Sequence, residues 1–465
     1  MDYEKLGFKC GIEIHQQLEG KKLFCNCPTV IRKDTPDYSF TRQLRASAGE
    51  SGNVDKAASY EQKKQKTFIY QGYNDTNCLV EQDEEPPRPV NQKAVETTLQ
   101  VCKMLNCKIV DEIIFMRKVV VDGSNVSGFQ RTALVGQDGY IEVNGRKIGI
   151  EAVCLEEEAC QVIKRTEDTD IYNLSRLGIP LIEIATAPDI KNPKECQETA
   201  AKLGMFLRST GACRRGIGSI RQDVNISIKE GYRVEVKGFQ DLKSIPKISD
   251  FEVNRQVKEK EKQGPHVRKA EADFTTSFLR PMPGSGRMYP ETDIPLVKID
   301  LTNIKEIITL EKKQNKLEKD YSLNSDFASI AIKSGIDFPT LFNKYKNLEP
   351  KFIVNTILNL PKEIKKRHNV EIDILAHSEF ILSSLDDNKI SPSAIEEILL
   401  KLNNNEKINL DDYKAMPLEE IKNKIKEIMK ENPDAPMGAL MGKAMAAFKG
   451  KVDGKIVNEI LRKLQ

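Results

Sequence analysis

Glu13 and His15 stand two apart in the run Cys10-Gly11-Ile12-Glu13-Ile14-His15, alternating with Ile12 and Ile14. A period of two sends the carboxylate and the imidazole to one side of a strand and the isoleucines to the other. The same phase recurs between Ser219 and Ile228, where Ile220, Val224, Ile226 and Ile228 share one face and Arg221, Asp223, Asn225 and Ser227 the opposite one. After a turn over Lys229-Glu230-Gly231-Tyr232, the return run separates Val234 and Val236 from Arg233, Glu235 and Lys237. Glu183 is a lone carboxylate within Leu181-Ile182-Glu183-Ile184, and Leu155 is followed by Glu156, Glu157 and Glu158. One such face is ordinary on an antiparallel sheet wetted on one side. The set is not, because short Asp, Asn and Ser beside Arg and a His replace the long Lys and Glu of a solvated surface. Several acids with one imidazole and nearby cations suit a Mg²⁺-nucleotide site: Mg²⁺ takes oxygen ligands and keeps waters, while Lys and Arg neutralise phosphate.

These strands lie in the first 300 or so residues, which also hold most of the glycines and all ten cysteines. Beyond them the chain reads as helices rich in Lys, Glu, Ile and Leu. Ser391 and Pro392 mark a helix start, with Ile390 placed to staple onto Ile395. Ile395, Ile398, Leu399 and Leu402 follow at helical spacing, as do Leu418, Ile421, Ile425 and Ile428, and then Ile456, Val457, Ile460, Leu461 and Leu464. All three stripes are expected to face a core. The charged segment from Lys258 to Lys269 contains Gly264-Pro265 and predicts a helix end followed by an exposed connection.

The chain has 465 residues, 39% hydrophobic and 30% charged, a soluble globular composition long enough for about three domains. No apolar run reaches the ~18 residues of a membrane helix, and the N-terminal stretch lacks the apolar core of a secretory signal, so a cytoplasmic protein is expected. With 72 basic and 69 acidic residues, the net charge of +3 announces no nucleic-acid partner and excludes none. The scattered cysteines predict reduced thiols rather than a disulfide framework. Cys25 and Cys27 could form half of a zinc site, but no second close pair follows and Cys78 is the nearest remaining thiol. Arg208, Arg214, Arg215 and Arg221 occupy a stretch without acids, which could meet phosphate or form a solvated surface. His266, His368 and His377 have no clustered partners. The stretch Gly438 to Ala444 falls one residue short of a phosphate-binding loop and instead predicts helix packing.

Longer motifs make the sequence recognisable. They are Gly11-Ile12-Glu13-Ile14-His15-Gln16-Gln17-Leu18, Leu23-Phe24-Cys25-Asn26-Cys27-Pro28, Leu79-Val80-Glu81-Gln82-Asp83-Glu84-Glu85-Pro86-Pro87, the run from Asp122-Gly123-Ser124-Asn125 to Arg131, Gly178 to Ile184, and Arg287-Met288-Tyr289-Pro290-Glu291-Thr292-Asp293. Through them the chain resembles the GatB/GatE family, kinase and tRNA-binding subunits of tRNA-dependent amidotransferases, from Gly11 almost to the C-terminus. The Asp-Gly-Ser-Asn and Asp-Glu-Glu-Pro-Pro motifs side with the archaeal branch.

The resemblance implies an α+β fold: a mostly antiparallel β-rich cradle over 1–300 carrying the amidokinase site, an all-α helical domain over 301–388, and a helical, YqeY-like, tRNA-binding tail over 389–465. It implies ATP-dependent phosphorylation of the glutamyl γ-carboxylate on Glu-tRNA(Gln), followed by amidation to Gln-tRNA(Gln). The family's catalytic metal positions fall on Glu13, His15, Glu156 and Glu183, which would hold Mg²⁺. Asp223, Asn225, Glu235, Lys237 and Arg221 are assigned to ATP and its phosphates, and Ser127, Gln130, Arg131 and Tyr289 to the substrate lining. No glutaminase motif is present, so ammonia is expected from a GatD-like, asparaginase-like glutaminase partner. Tail residues Lys443 to Gln465 hold six basic and two acidic groups, compatible with tRNA phosphates. One alternative is a GatB-like subunit that pairs with an amidase and also serves aspartyl-tRNA(Asn). Another is a tRNA-binding scaffold with a dead kinase site, against which stands the presence of every acid at the metal positions. The archaeal branch usually carries an inserted domain resembling one in aspartyl-tRNA synthetase before the Arg287–Asp293 motif. Here Gly264 to Asp273 runs directly into Phe274 to Pro281, so that insertion is expected to be absent.

Overall fold

The fold is that of a computed structural model describing residues 1–49, 52–239, 241–259, 263–284, 287–414, 416–433, 435–448, 452 and 454–464, the side chain of Lys455 excepted. Of the basic tail, Lys449, Lys451, Asp453 and Gln465 lie outside the described residues. The chain forms two compact units, Met1–Thr309 and Leu310–Gln465.

The first unit is built on an eleven-stranded sheet. Across it run Thr276–Pro281, His266–Ala270, Val234–Lys237, Ile220–Ser227, Lys9–Gln17, Pro180–Thr186, Arg146–Glu157, Phe129–Val143, Phe115–Val119 and Met288–Pro290, with Lys108–Ile109 also paired to Phe129–Val143. Among the described residues, one of these pairings is parallel, Val234–Lys237 with His266–Ala270. The alternation read from the sequence sets the two faces. Ile12, Ile14, Ile182, Ile184, Val224 and Ile226 are buried in a core shared with three helices, Gln92–Met104, Pro193–Ser209 and Ser244–Lys258. Local chemistry fixes where two of these helices begin. The Asn192 side chain accepts from the backbone N–H of Glu195 at 2.9 Å, Pro193 takes the first turn, and the Glu195 carboxylate reaches back to the N–H of Lys191 at 2.7 Å. Asn91 caps the Gln92–Met104 helix in the same manner. With its apolar face covered, the sheet presents its polar face to a cavity.

A four-stranded sheet, Tyr38–Arg42, Thr67–Gly72, Thr169–Asn173 and Gln161–Arg165, supports one wall of that cavity. Its rings Phe68, Tyr70 and Tyr172 cluster together, and the Tyr70 and Tyr172 hydroxyls donate to the carbonyls of Gly123 (2.7 Å) and Asp122 (2.6 Å). This fixes the Asp122-Gly123-Ser124-Asn125 loop. Gly123 has φ +85° and a Cβ there would sit 2.2 Å from the Phe68 ring, so both backbone and space demand glycine.

The second unit is all helical, with buried clusters over 317–413 and over 421–461. Among the described residues no helix is long and apolar enough to cross a membrane. Several details differ from expectation. Pro392–Ala394 forms a turn of 3₁₀ helix before the α-helix begins at Ile395. Leu418 and Ile456 are exposed although they continue the apolar stripes, because each lies in the opening turn of its helix, ahead of the packed positions Ile421 and Val457. The segment ending at Lys269 is not wholly an exposed connection: His266–Ala270 is a strand, and His266 is buried between the rings of Tyr232 and Phe278. The Gly438-to-Ala444 stretch lies in the Met437–Phe448 helix, with Leu440, Ala444 and Phe448 buried.

Candidate active site

Strand register gathers the polar side chains of the main sheet in rows. His15 lies opposite Glu183 on one neighbouring strand and Arg221 on the other; Glu13 lies opposite Asp223, and Asn225 opposite Glu235. Glu156 sits opposite Leu181 and Thr132, and Lys118 opposite Gln130. Above these rows is a cavity of about 640 Å³, lined by Glu13, His15, Glu156, Glu183, Arg221, Asp223, Glu235 and Lys237 among others.

The donors fall into two overlapping sets. Glu13, His15 and Asp223 offer ligand atoms within 4.8 Å of one another, and so do His15, Glu156 and Glu183. His15 Nε2 is 3.3 Å from a Glu183 oxygen. Each set has its own lysine, buried for Lys118 and partly buried for Lys237. Lys118 Nζ lies 2.5 Å from Glu156 and 3.8 Å from Glu183, while Lys237 Nζ lies 2.6 Å from Asp223 and also pairs with Glu235. Five carboxylates face two lysines and a protonated His15, so the floor carries an excess of negative charge that favours cations. Burial and the neighbouring Glu235 push the Glu13 carboxyl up to about 7. Burial alone would lower His15, but its hydrogen bond to Glu183, with Asp223 and Glu156 nearby, raises it to about 9. Burial opposes ionisation of Glu183 too, yet Lys118 and His15 hold it well below the carboxylate range; burial and the Glu183 charge push Glu156 up.

Supporting bonds fix these groups. Asn225 Nδ2 donates to Glu13 at 3.0 Å and Arg233 Nε donates to Asn225 Oδ1 at 2.9 Å. Gln130 Nε2 donates to Glu156 at 3.1 Å and to the Glu157 carbonyl at 2.7 Å, and the Thr132 hydroxyl donates to Glu156 at 2.7 Å. Arg221 makes a two-pronged pair with Glu158 at 2.6 and 3.0 Å; burial resists ionisation of Glu158, but Arg221 and Arg176 hold it ionised, down to about 2. Arg214 donates to the Thr29 carbonyl.

Of the expected lining residues, Gln130 borders the cavity; Ser127, Arg131 and Tyr289 do not. Arg131 is buried between Glu157 (3.3 Å) and Glu291 (2.7 Å), beside the rings of Phe24 and Phe129, and Ser127 lies with it in a separate small void. Tyr289 packs edge-on to Phe129. Sequence reasoning missed Lys118, Asp122, Ser124, Asn125, Glu158, Arg280 and Arg287, all of which line the cavity. The Asp122–Asn125 motif carried a signal for three of them; Lys118, in the unpatterned strand Phe115–Val119, carried none.

A second donor set lies elsewhere in the unit. Cys25, Cys27, Cys78 and Glu81 offer ligand atoms within 4.8 Å of one another. Cys25 Sγ is 2.7 Å from Glu81, whose other oxygen accepts from the N–H of Cys78 at 2.7 Å. The missing half of the Cys25–Cys27 pair is thus Cys78 with Glu81, one thiol and one carboxylate on a single turn.

Comparison with known proteins agrees with this architecture. Residues 8–305 match the GatB/GatE catalytic domain and residues 338–464 the GatB domain. The E subunit of the glutamyl-tRNA(Gln) amidotransferase from Methanocaldococcus jannaschii is 36% identical, the alignment covering 100% of this chain and 99% of that protein. Its counterpart in Archaeoglobus fulgidus is 36% identical over 100% and 98%, and that in Methanosarcina barkeri 34% over 99% and 98%. The first alignment spans 624 positions against the 465 residues here, so that relative carries internal segments this chain lacks. From the fold, the cavity and these matches together, the chain belongs to the GatB/GatE family.

Proposed function

We propose that this chain activates the glutamyl group of Glu-tRNA(Gln) by ATP-dependent phosphorylation and converts it to Gln-tRNA(Gln). The observation that carries this reading is the pair of acid-rich donor sets sharing His15 on the floor of the cavity. A carboxylate is a poor acyl donor because its leaving group is oxide, whereas an acyl phosphate has a good one. An oxygen of the γ-carboxylate attacks the γ-phosphorus of ATP, the bond to the bridging oxygen breaks, and ADP leaves. Ammonia then adds to the acyl carbon, inorganic phosphate departs with its bonding pair, and the nitrogen loses a proton. Glu13, His15 and Asp223, and Glu156 with Glu183, would hold Mg²⁺, which when bound neutralises phosphate charge and fixes its oxygens. Lys118 and Lys237 offset part of the repulsion among the carboxylates, and Asn225, Gln130 and Thr132 aim them.

Ammonia would come from a GatD-like glutaminase partner in the cytoplasm, residues 301–388 would form a helical domain, and residues 389–465 a tail domain that grips tRNA. Cys25, Cys27, Cys78 and Glu81 fit a structural zinc, since three thiolates and a carboxylate complete a four-ligand set. Lys22 supports that reading: its Nζ is fully buried, 3.6 Å from Glu81 and without a hydrogen-bond partner among the described residues, a cation placed against an anionic cluster. The deciding experiment for the activity incubates the full chain with Glu-tRNA(Gln), Mg-ATP and ammonium chloride. Gln-tRNA(Gln) should form, with ADP released in equal amount. Product formed without ATP, or no product at all, would overturn the reading.

A further inference from the structure

The acids on the cavity walls are already engaged. Glu158 is held by Arg221 and Gln17, Asp223 and Glu235 by Lys237, Glu13 by Asn225, and Glu61 by Lys64. Asp122 accepts from the N–H and hydroxyl of Ser124. Asp55 accepts from the N–H groups of Ala57 and Ala58 through one oxygen and of Gly284 through the other. The cations are not equally occupied. Lys118, Lys237, Arg176 and Arg221 each face a carboxylate of the cavity, and Arg165 faces Asp170 beside it. Arg280 and Arg287 are partly buried and line the same cavity, yet among the described residues neither guanidinium makes an ion pair or hydrogen bond.

Their placement is built rather than incidental. Arg280 stands in the Thr276–Pro281 strand, opposite Val267. Arg287 directly precedes Met288–Pro290, and its carbonyl accepts from the N–H of Val119, next to Lys118 of the floor. Burial lowers the proton affinity of Arg287, and the charge of Arg280 lowers it further, so the two cations are close enough to repel; Asp55, Glu156 and Glu183 act on it in the opposite sense. Two like charges lining a partly dry cavity, with no direct ion pair among the described residues, are less favourable until an anion arrives. A guanidinium offers five donors in a planar fork, so a pair of them matches the oxygens of a tetrahedral phosphate.

We propose that Arg280 and Arg287, which line the same cavity as the carboxylate floor, form a clamp for the terminal phosphate of the nucleoside triphosphate. This rests on the kinase reading above and names the residues that receive the group being transferred. A terminal phosphate carries more charge than the diester of an RNA backbone. The Arg287 carbonyl accepts from the N–H of Val119, the residue after Lys118, so this end of the clamp adjoins the carboxylate floor.

The test is calorimetric titration of the full chain with Mg-ATP, Mg-ADP and AMP, for the parent, Arg280→Ala, Arg287→Ala and Arg287→Lys. Each alanine variant should weaken Mg-ATP about tenfold or more while changing AMP little, so the preference for ATP over ADP shrinks. Arg287→Lys should recover part of the loss by restoring charge without the fork. Glu-tRNA(Gln) affinity by filter binding should stay at the parent value. Because an unpaired cation is removed, the ligand-free variants should melt at or above the parent temperature; a purely structural role predicts a lower one. Unchanged ATP-to-ADP preference in both alanine variants, with a parent that binds and turns over ATP, would overturn the clamp alone. Loss of tRNA affinity with nucleotide binding intact would also overturn it, assigning the anion to the RNA. A parent that binds no nucleotide would take down the kinase reading, and the clamp with it.

Discussion

The first unit contains two clusters of potential ligands whose contrast is instructive. The floor set of Glu13, His15, Asp223, Glu156 and Glu183 opens into about 640 Å³ of space, and its donors are mostly carboxylate oxygens. The set of Cys25, Cys27, Cys78 and Glu81 lies in loops, is mostly sulfur, and does not border that cavity. Oxygen donors with open positions suit a hard cation that must also meet phosphate; a complete four-ligand set of thiolates and a carboxylate suits zinc held for stability. Each cluster also carries a buried lysine, but the lysines differ. Lys118 and Lys237 are hydrogen-bonded to their acids, whereas Lys22 is only near its own. Openness, donor hardness and charge compensation together would separate a reacting cation site from a structural one.

Substitutions can break or sharpen that contrast. The largest effect belongs to Glu183→Gln, which keeps shape but removes the charge joining His15 and Lys118. Ammonium-dependent Gln-tRNA formation should fall by about 1,000-fold while tRNA affinity holds and the variant stays folded at the assay temperature. Normal turnover would remove Glu183 from the chemistry and leave the floor set without its centre.

Lys118→Met comes next and exposes the charge excess. With the lysine gone, Glu156 and Glu183 are left with His15 as their one paired cation among the described residues, so the protein in EDTA should lose about 3 kcal/mol by denaturant titration. Added Mg²⁺ should restore much of that loss. Stability equally reduced with and without Mg²⁺ would mean that the lysine does not hold a cation's place.

At the other cluster, Cys78→Ser should remove bound zinc, measured as metal per chain, and cost on the order of 2 kcal/mol. Activity per folded molecule should be nearly unchanged, the reverse of Glu183→Gln. A zinc-free parent, or a variant inactive while fully folded, would erase the distinction between the two clusters.

The contrast also governs what could be read in the sequence. The floor was legible because its ligands ride on strands, where a period of two places Glu13 with His15 and Asp223 with Asn225 before any tertiary contact is known. The thiol-rich set was only half legible, since Cys78 and Glu81 reach Cys25 and Cys27 through loop folding that leaves no periodic trace. Arg131 illustrates the opposite error of reading. It shares a motif with cavity residues, yet strand alternation turns it to the other face from Gln130, where Glu157 and Glu291 hold it. Leu418 and Ile456 show the limit of helical stripes, whose first positions overhang the packed face.

The smallest expected effect tests redundancy within the floor. Gln130 donates to Glu156, but so do Thr132 and Lys118, at 2.7 and 2.5 Å against its 3.1 Å. Gln130→Ala therefore removes the longest of three restraints on one carboxylate. The loss should be close to that of a single hydrogen bond, about 1 kcal/mol, or a severalfold drop in turnover, with ATP and tRNA affinities unchanged. A loss approaching that of Glu183→Gln would show that Gln130 touches the reacting groups rather than aiming Glu156. A variant indistinguishable from the parent would show that two restraints suffice, and that the precision of the floor resides in its charged bonds.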